Sequence, residues 1–188
     1  MKSANLGTDP VKQLVLRLAL PAMLAQFVNV LYSIVDRMYI GNIPQIGETA
    51  LAGVGICGPI VTMISAFASW VGVGGAPLMS IRMGQKDMDG ARKILANCFL
   101  LMFLMSGLLI VFAYTVKAPI LRAFGATETI FPYADSYMST YLCGTLFAIL
   151  SLGLNQFIIC QGYSGLGMLS VVIGALVNIV LDPVFIFV

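Results

Sequence analysis

Apolar residues fall into five long stretches along this chain, divided by short polar or glycine-containing segments. The first runs from about Val15 to Tyr39, the second from Ala50 to Ile81, the third from Ile94 to Val116, and the fourth from Tyr137 to Cys160. The fifth begins near Met168 and is still apolar at Val188. Each is near or above the ~20 residues an α-helix needs to cross a bilayer, and the second is long enough to tilt or project. The pattern predicts an all-α integral membrane protein. It would be a polytopic bundle of about five transmembrane helices, with residues 1–14 as a cytoplasmic lead and 15–188 as the membrane part.

Composition agrees. The chain is 60% hydrophobic and 10% charged, with mean hydropathy +0.98, whereas soluble domains carry roughly 25% charge. A net charge of +2 gives nucleic acid no footing, and there is no histidine. That removes the commonest metal ligand and the commonest general base, so no enzyme and no cofactor is expected. Cys57, Cys98, Cys143 and Cys160 share no CxxC spacing and lie in apolar runs. They read as small buried residues, not as a disulfide or metal framework. The apolar stretch after Lys2, Lys12 and Arg17 is too long for the core of a cleavable signal peptide, so it reads as a helix that stays.

Basic residues set the expected orientation. Lys2, Lys12 and Arg17 precede helix one, and Arg82, Lys86, Arg92 and Lys93 follow helix two, while Gly41–Thr49 has no Lys or Arg. The N-terminus and the Arg82–Lys93 segment are therefore expected to be cytoplasmic, with Gly41–Thr49 and Lys117–Asp135 outside. Glycines at 53, 55, 58, 72, 74 and 75 would let helix two approach its neighbours closely. Pro59 and Pro77 in helix two and Pro183 in helix five are candidate kinks.

Two acids break the apolar pattern. Asp182 lies in the run 169–188, where the other polar residues are Ser170 and Asn178. A carboxylate in hydrocarbon costs at least a few kcal/mol and usually marks an ion or substrate path. Asn178, four residues earlier, shares its helical face. Asp36 lies near the end of the first apolar run. Counted from the cytoplasmic side, Asp36 is ~28 Å and Asp182 ~21 Å along their helices, which puts both in the outer half of the bilayer on helices of one direction. Hard cations favour oxygen ligands, while a proton needs only an acid whose environment disfavours charge. These residues could serve Na+ (at Asp36, Asn178 and Asp182) or H+.

The order of motifs resembles the multidrug and toxic compound extrusion (MATE) family. Leu20-Pro21, the run Tyr32 to Gly41 containing Asp36, and Leu51-Ala-Gly-Val-Gly55 are similar to the start of such transporters. Ser80 to Arg92 is similar to the segment between their second and third helices. Asn155-Gln-Phe-Ile158, Gln161-Gly162 and Asn178 to Pro183 are similar to their fourth and fifth. The resemblance implies two six-helix lobes around a central cavity, exchanging inward H+ or Na+ for outward organic, often cationic, compounds. It implies a cation site at Asp36, Asn155, Asn178 and Asp182, with Tyr32 beside it. Gln161 departs from the basic residue many members carry there. This chain would supply helices one to five of the N-terminal lobe, without helix six or the second lobe. It is expected to be a fragment that does not transport alone, from a bacterial plasma membrane, with lipid and small organic substrates as partners. The alternatives are a lipid-linked sugar flippase of the same superfamily and an inactive truncated membrane fragment. An intramembrane aspartyl protease is disfavoured, because the nearest text to its GxGD motif, Gly165-Leu-Gly-Met168, lacks the acid.

Overall fold

The computed structural model describes residues 11–187. Five helices follow one another: α1 (Val11–Gly41), α2 (Gly47–Gly84), α3 (Met88–Ala123), α4 (Phe131–Cys160) and α5 (Ser164–Phe187). Each contains a stretch long and apolar enough to cross a membrane, and no strand occurs among the described residues. The protein is thus a multi-pass helical membrane protein. The helices continue through Pro21, Pro59, Pro77, Pro119 and Pro183.

The helices outrun the apolar stretches that announced them. α2 has 38 residues, or ~57 Å at 1.5 Å per residue, well beyond a hydrocarbon core of ~30 Å. Their ends are set by local chemistry and not by hydropathy. Asp87 caps α3, its Oδ1 accepting from the backbone N–H of Gly90 at 2.8 Å. After α4, Gly162 takes φ 86°, a left-handed stop that favours glycine. The connection between α3 and α4 is residues 124–130. Lys117 belongs to α3 and Asp135 to α4, and their side chains pair at 2.8 Å. Lys117 Nζ also donates to Ser139 Oγ at 2.6 Å.

α2, α3 and α4 form the packed centre. Ala134, Met138, Leu142, Thr145, Ile149, Gly153 and Phe157 are buried at three- and four-residue spacing along α4, which makes one continuous face. It meets the buried Gly53, Cys57, Ile64, Ala68, Val71, Gly72, Gly75, Ala76 and Met79 of α2. Small residues make this seam close. A Cβ on Gly72 would lie 3.0 Å from the Gly153 carbonyl oxygen, and one on Gly53 3.0 Å from the Ala134 nitrogen. Gly55, Gly58 and Gly74 face open space instead, so only half of the expected packing glycines pack within this chain. The buried hydroxyls of Ser106 and Thr145 donate to carbonyls of their own helices, Phe103 at 2.8 Å and Tyr141 at 3.1 Å, and so cost little.

α1 stands apart from this centre. Its main neighbour is α5, and its contact with α2 is slight. Because short turns reverse the chain at each step, α1 and α5 run parallel. α5 in turn touches α4. This arrangement brings the first and last helices together along one side of the bundle. The four cysteines are free, but only Cys57 is buried. Cys143 is exposed and lies 3.3 Å from the Tyr114 hydroxyl, which corrects the expectation that all four are buried. Such sites arise because an exposed helix face in a membrane protein is apolar too, so an apolar run does not fix which way its cysteine points.

Candidate cation site

Asp36 sits five residues before α1 ends at Gly41, and Asp182 lies on α5, which continues past it to Phe187. The parallel pairing of the two helices puts both acids near the same end of the bundle. Asp182 acts electrostatically on Asp36, with Arg37 as the opposing charge. Both carboxylates are half-buried.

On α5 the four-residue spacing has the consequence expected of it. Asn178 Nδ2 donates to Asp182 Oδ1 at 3.0 Å. The other two oxygens of this pair, Asn178 Oδ1 and Asp182 Oδ2, are buried and have no hydrogen-bond partner. Both are acceptors, and an unsatisfied buried acceptor costs about 1–3 kcal/mol. Pro183 adds a third oxygen without its usual donor. It has no N–H to offer the carbonyl of Ile179 one turn back. The neighbourhood is therefore rich in oxygen lone pairs and short of protons. Among the described residues, no three His, Cys, Asp or Glu side chains gather as a metal cluster. The donor set is two carboxylates and an amide oxygen, which suits a hard monovalent cation or a proton and not a soft metal.

Tyr32 lies one turn before Asp36, and both Asp36 and Tyr141 lie within electrostatic range of it. α4 supplies two residues that the sequence did not single out. Tyr137 lies within electrostatic range of Asp36, Tyr32 and Tyr141. The rings of Tyr137 and Tyr141 stack, with centroids 6.4 Å apart and planes at 18°. They line a cleft of about 300 Å³ with Thr140, Gly144 and Ala148. Asn155 lies elsewhere. Its Nδ2 donates to the Gly167 carbonyl and to Ser170 Oγ, each at 3.0 Å. Ser170 precedes Asp182 by twelve residues, ~18 Å along α5. In this structure Asn155 joins α4 to the start of α5 and does not reach the acids.

The MatE family model matches residues 21–184, a span that contains every residue of this constellation. The chain belongs to the MatE family. Among curated MATE relatives, an FAD transporter of Shewanella oneidensis is 26% identical over 97% of this chain and 40% of its own length. The multidrug export protein MepA of Staphylococcus haemolyticus is 28% identical over 90% of this chain and 37% of its own. The chain thus spans about 40% of the length of the curated relatives it matches. Among solved structures, the MATE multidrug transporter DinF-BH superposes with TM-score 0.90 at 32% identity, over 100% of this chain and 42% of that one. A MOP superfamily transporter from Pyrococcus furiosus superposes with TM-score 0.89 at 27% identity, over 100% of this chain and 41% of that one.

Proposed function

We propose that this chain forms helices one to five of the N-terminal lobe of a cation-coupled efflux antiporter, and that Asp36, Asp182 and Asn178 hold the coupling ion, H+ or Na+. The reading rests on one observation: two buried acceptor oxygens, Asn178 Oδ1 and Asp182 Oδ2, lack donors beside a second carboxylate. A cation remedies that deficit. A proton on Asp182 would convert an orphan acceptor into a donor. A sodium ion would use the same lone pairs as ligands. Each also relieves the repulsion between Asp36 and Asp182. Tyr32 and Tyr137 serve as the hydroxyl-bearing wall of the site. Asn155 is assigned to helix packing at the far end of α5.

Exchange follows if the ion and the organic substrate favour different arrangements of two lobes about a central cavity. The relatives' names span multidrug export and FAD transport. The proposal is therefore carried by the ion site and not by one substrate, although organic, often cationic, compounds are the class the family resemblance implies. The membrane is a plasma membrane, a reading that rests on the family resemblance, and the N-terminus is cytoplasmic, as the distribution of basic residues supports.

The direct test is ion binding by this chain in nanodiscs. Radioactive Na+ retention and the infrared carboxylic C=O band across a pH series would be measured for the parent, Asp36→Asn and Asp182→Asn. Loss of Na+ retention, or of the titrating band, in both variants is expected. Parental behaviour in both would place the site elsewhere.

A further inference from the structure

At the opposite end of α2 lies a second cleft of about 360 Å³, lined by Leu78, Ile81, Arg82, Gln85 and Ile94. Its volume is in the roughly 300–1,000 Å³ range of small-ligand sites. Leu78, Ile81 and Arg82 of α2 and its C-cap Gln85 are spaced 0, 3, 4 and 7, so they form one face. Polarity changes along that face. Leu78 and Ile81 are each 56% exposed and belong to the membrane-spanning part. Arg82 and Gln85 follow within a turn, where the chain leaves it.

We propose that this groove binds one anionic glycerophospholipid, with an acyl chain against Leu78, Ile81 and Ile94 and the phosphate on Arg82. Charge complementarity supports the choice. Residues 82–93 carry Arg82, Lys86, Arg92 and Lys93 against Asp87 and Asp89, a net +2. Basic pockets between helices at the cytoplasmic surface recognise anionic headgroups. Arg82 is also available. Its present partner is Asp87 at 3.3 Å, with side chains 52% and 41% exposed, a pairing that contributes little. Asp87 already holds the Gly90 N–H through its other oxygen, so it keeps a partner if Arg82 turns to a phosphate. A guanidinium matches phosphate oxygens in a bidentate manner. The apolar part of the groove offers nothing to a free phosphate, so the occupant is a lipid and not the soluble anion.

The test is lipid retention by the purified chain in native mass spectrometry, using phosphatidylglycerol and phosphatidylcholine with identical acyl chains. Phosphatidylglycerol should be retained preferentially. Arg82→Gln should lower its retention about fivefold, the worth of one basic contact of ~1 kcal/mol near a membrane surface. Arg92→Gln, whose side chain is 82% exposed and outside the groove, should leave retention unchanged. Glycerophosphoglycerol, which lacks acyl chains, should not compete. Equal retention of the two lipids would overturn the proposal. So would equal losses in the two arginine variants, or no loss with Arg82→Gln, which would mean diffuse attraction or another occupant of the groove.

Discussion

Asn178 Nδ2 donates to Asp182 Oδ1 at 3.0 Å, across one turn of α5. The bond fixes one carboxylate oxygen and leaves Oδ2 buried without a donor. The side chain is thereby held in one orientation, which would lower the ordering cost of binding the proposed ion.

In a transporter carrying these residues, Asp36→Asn and Asp182→Asn should each abolish or severely reduce ion-coupled efflux while leaving membrane insertion intact. Asn178→Ala removes a charge-assisted hydrogen bond worth about 1.5–3 kcal/mol and one oxygen, but no charge. It should weaken apparent ion affinity by roughly 10–100-fold and spare the maximal rate more than either acid variant. Efflux measured against an imposed ion gradient checks the ordering. Parental gradient dependence in both acid variants would reduce these carboxylates to structural parts.

The membrane orientation is open to labelling. Gln85 and Gln45 are both exposed, in the turns after α2 and α1 respectively. In a cysteine-free background, Gln45→Cys should react with an impermeant reagent in intact cells and Gln85→Cys should react only after permeabilisation. The reverse pattern would invert the topology. Cys143 must be removed first, because it is exposed.

Two glycines of α2 should respond oppositely to a methyl group. Gly72→Ala places a Cβ 3.0 Å from the Gly153 carbonyl oxygen and 3.1 Å from its Cα. Backbone cannot move aside as a side chain can, so this overpacking should cost about 1–3 kcal/mol. Gly74→Ala meets nothing within 4 Å and should be neutral, or stabilising by up to about 1 kcal/mol through helix propensity. Thermal unfolding in one detergent compares them, and equal effects would contradict the close α2–α4 seam.

The Lys117–Asp135 pair, at 2.8 Å with side chains 19% and 32% exposed, should be more strongly coupled than Arg92–Asp89, at 3.7 Å and 82% and 86% exposed. A double-mutant cycle with Lys117→Met and Asp135→Asn should return a coupling of about 1–3 kcal/mol, while the exposed pair should return only a few tenths. Similar couplings would show that the end of α3 and the start of α4 are better solvated than this geometry implies.

Sequence pattern reached some of these features for clear reasons. Asp182 and Asn178 were legible because a charge and an amide four residues apart stand out in an apolar run, and helix geometry alone makes them neighbours. That Asp36 joins them depended on α1 and α5 packing together, which no local pattern encodes. Tyr137 and Tyr141 were missed because tyrosines near a membrane boundary look like interfacial anchors. Only the packing of α4 against α5 brings Tyr137 into electrostatic range of Asp36. Asn155 differs for the converse reason. Its motif marked it as a ligand, but its Nδ2 donates to Gly167 and Ser170 at the start of α5, a position that its motif does not encode. Hydropathy located every span yet stopped short of the helix ends, because it measures which residues tolerate lipid and not where backbone bonding stops.

The pairing of α1 with α5 also imposes an order on biosynthesis. α2, α3 and α4 are neighbours in both sequence and space, so each can dock as it leaves the ribosome. α1 has its main partner in the last described helix, which begins only at Ser164. Until then, Asp36 enters the bilayer without the residues that later accompany it, and the emerging α1 must be tolerated by lipid or by the insertion machinery. A ribosome that stalled before Asn178 would leave that carboxylate stranded. Asp36 is thus made long before Asp182, and the two can meet only once α5 has been synthesised.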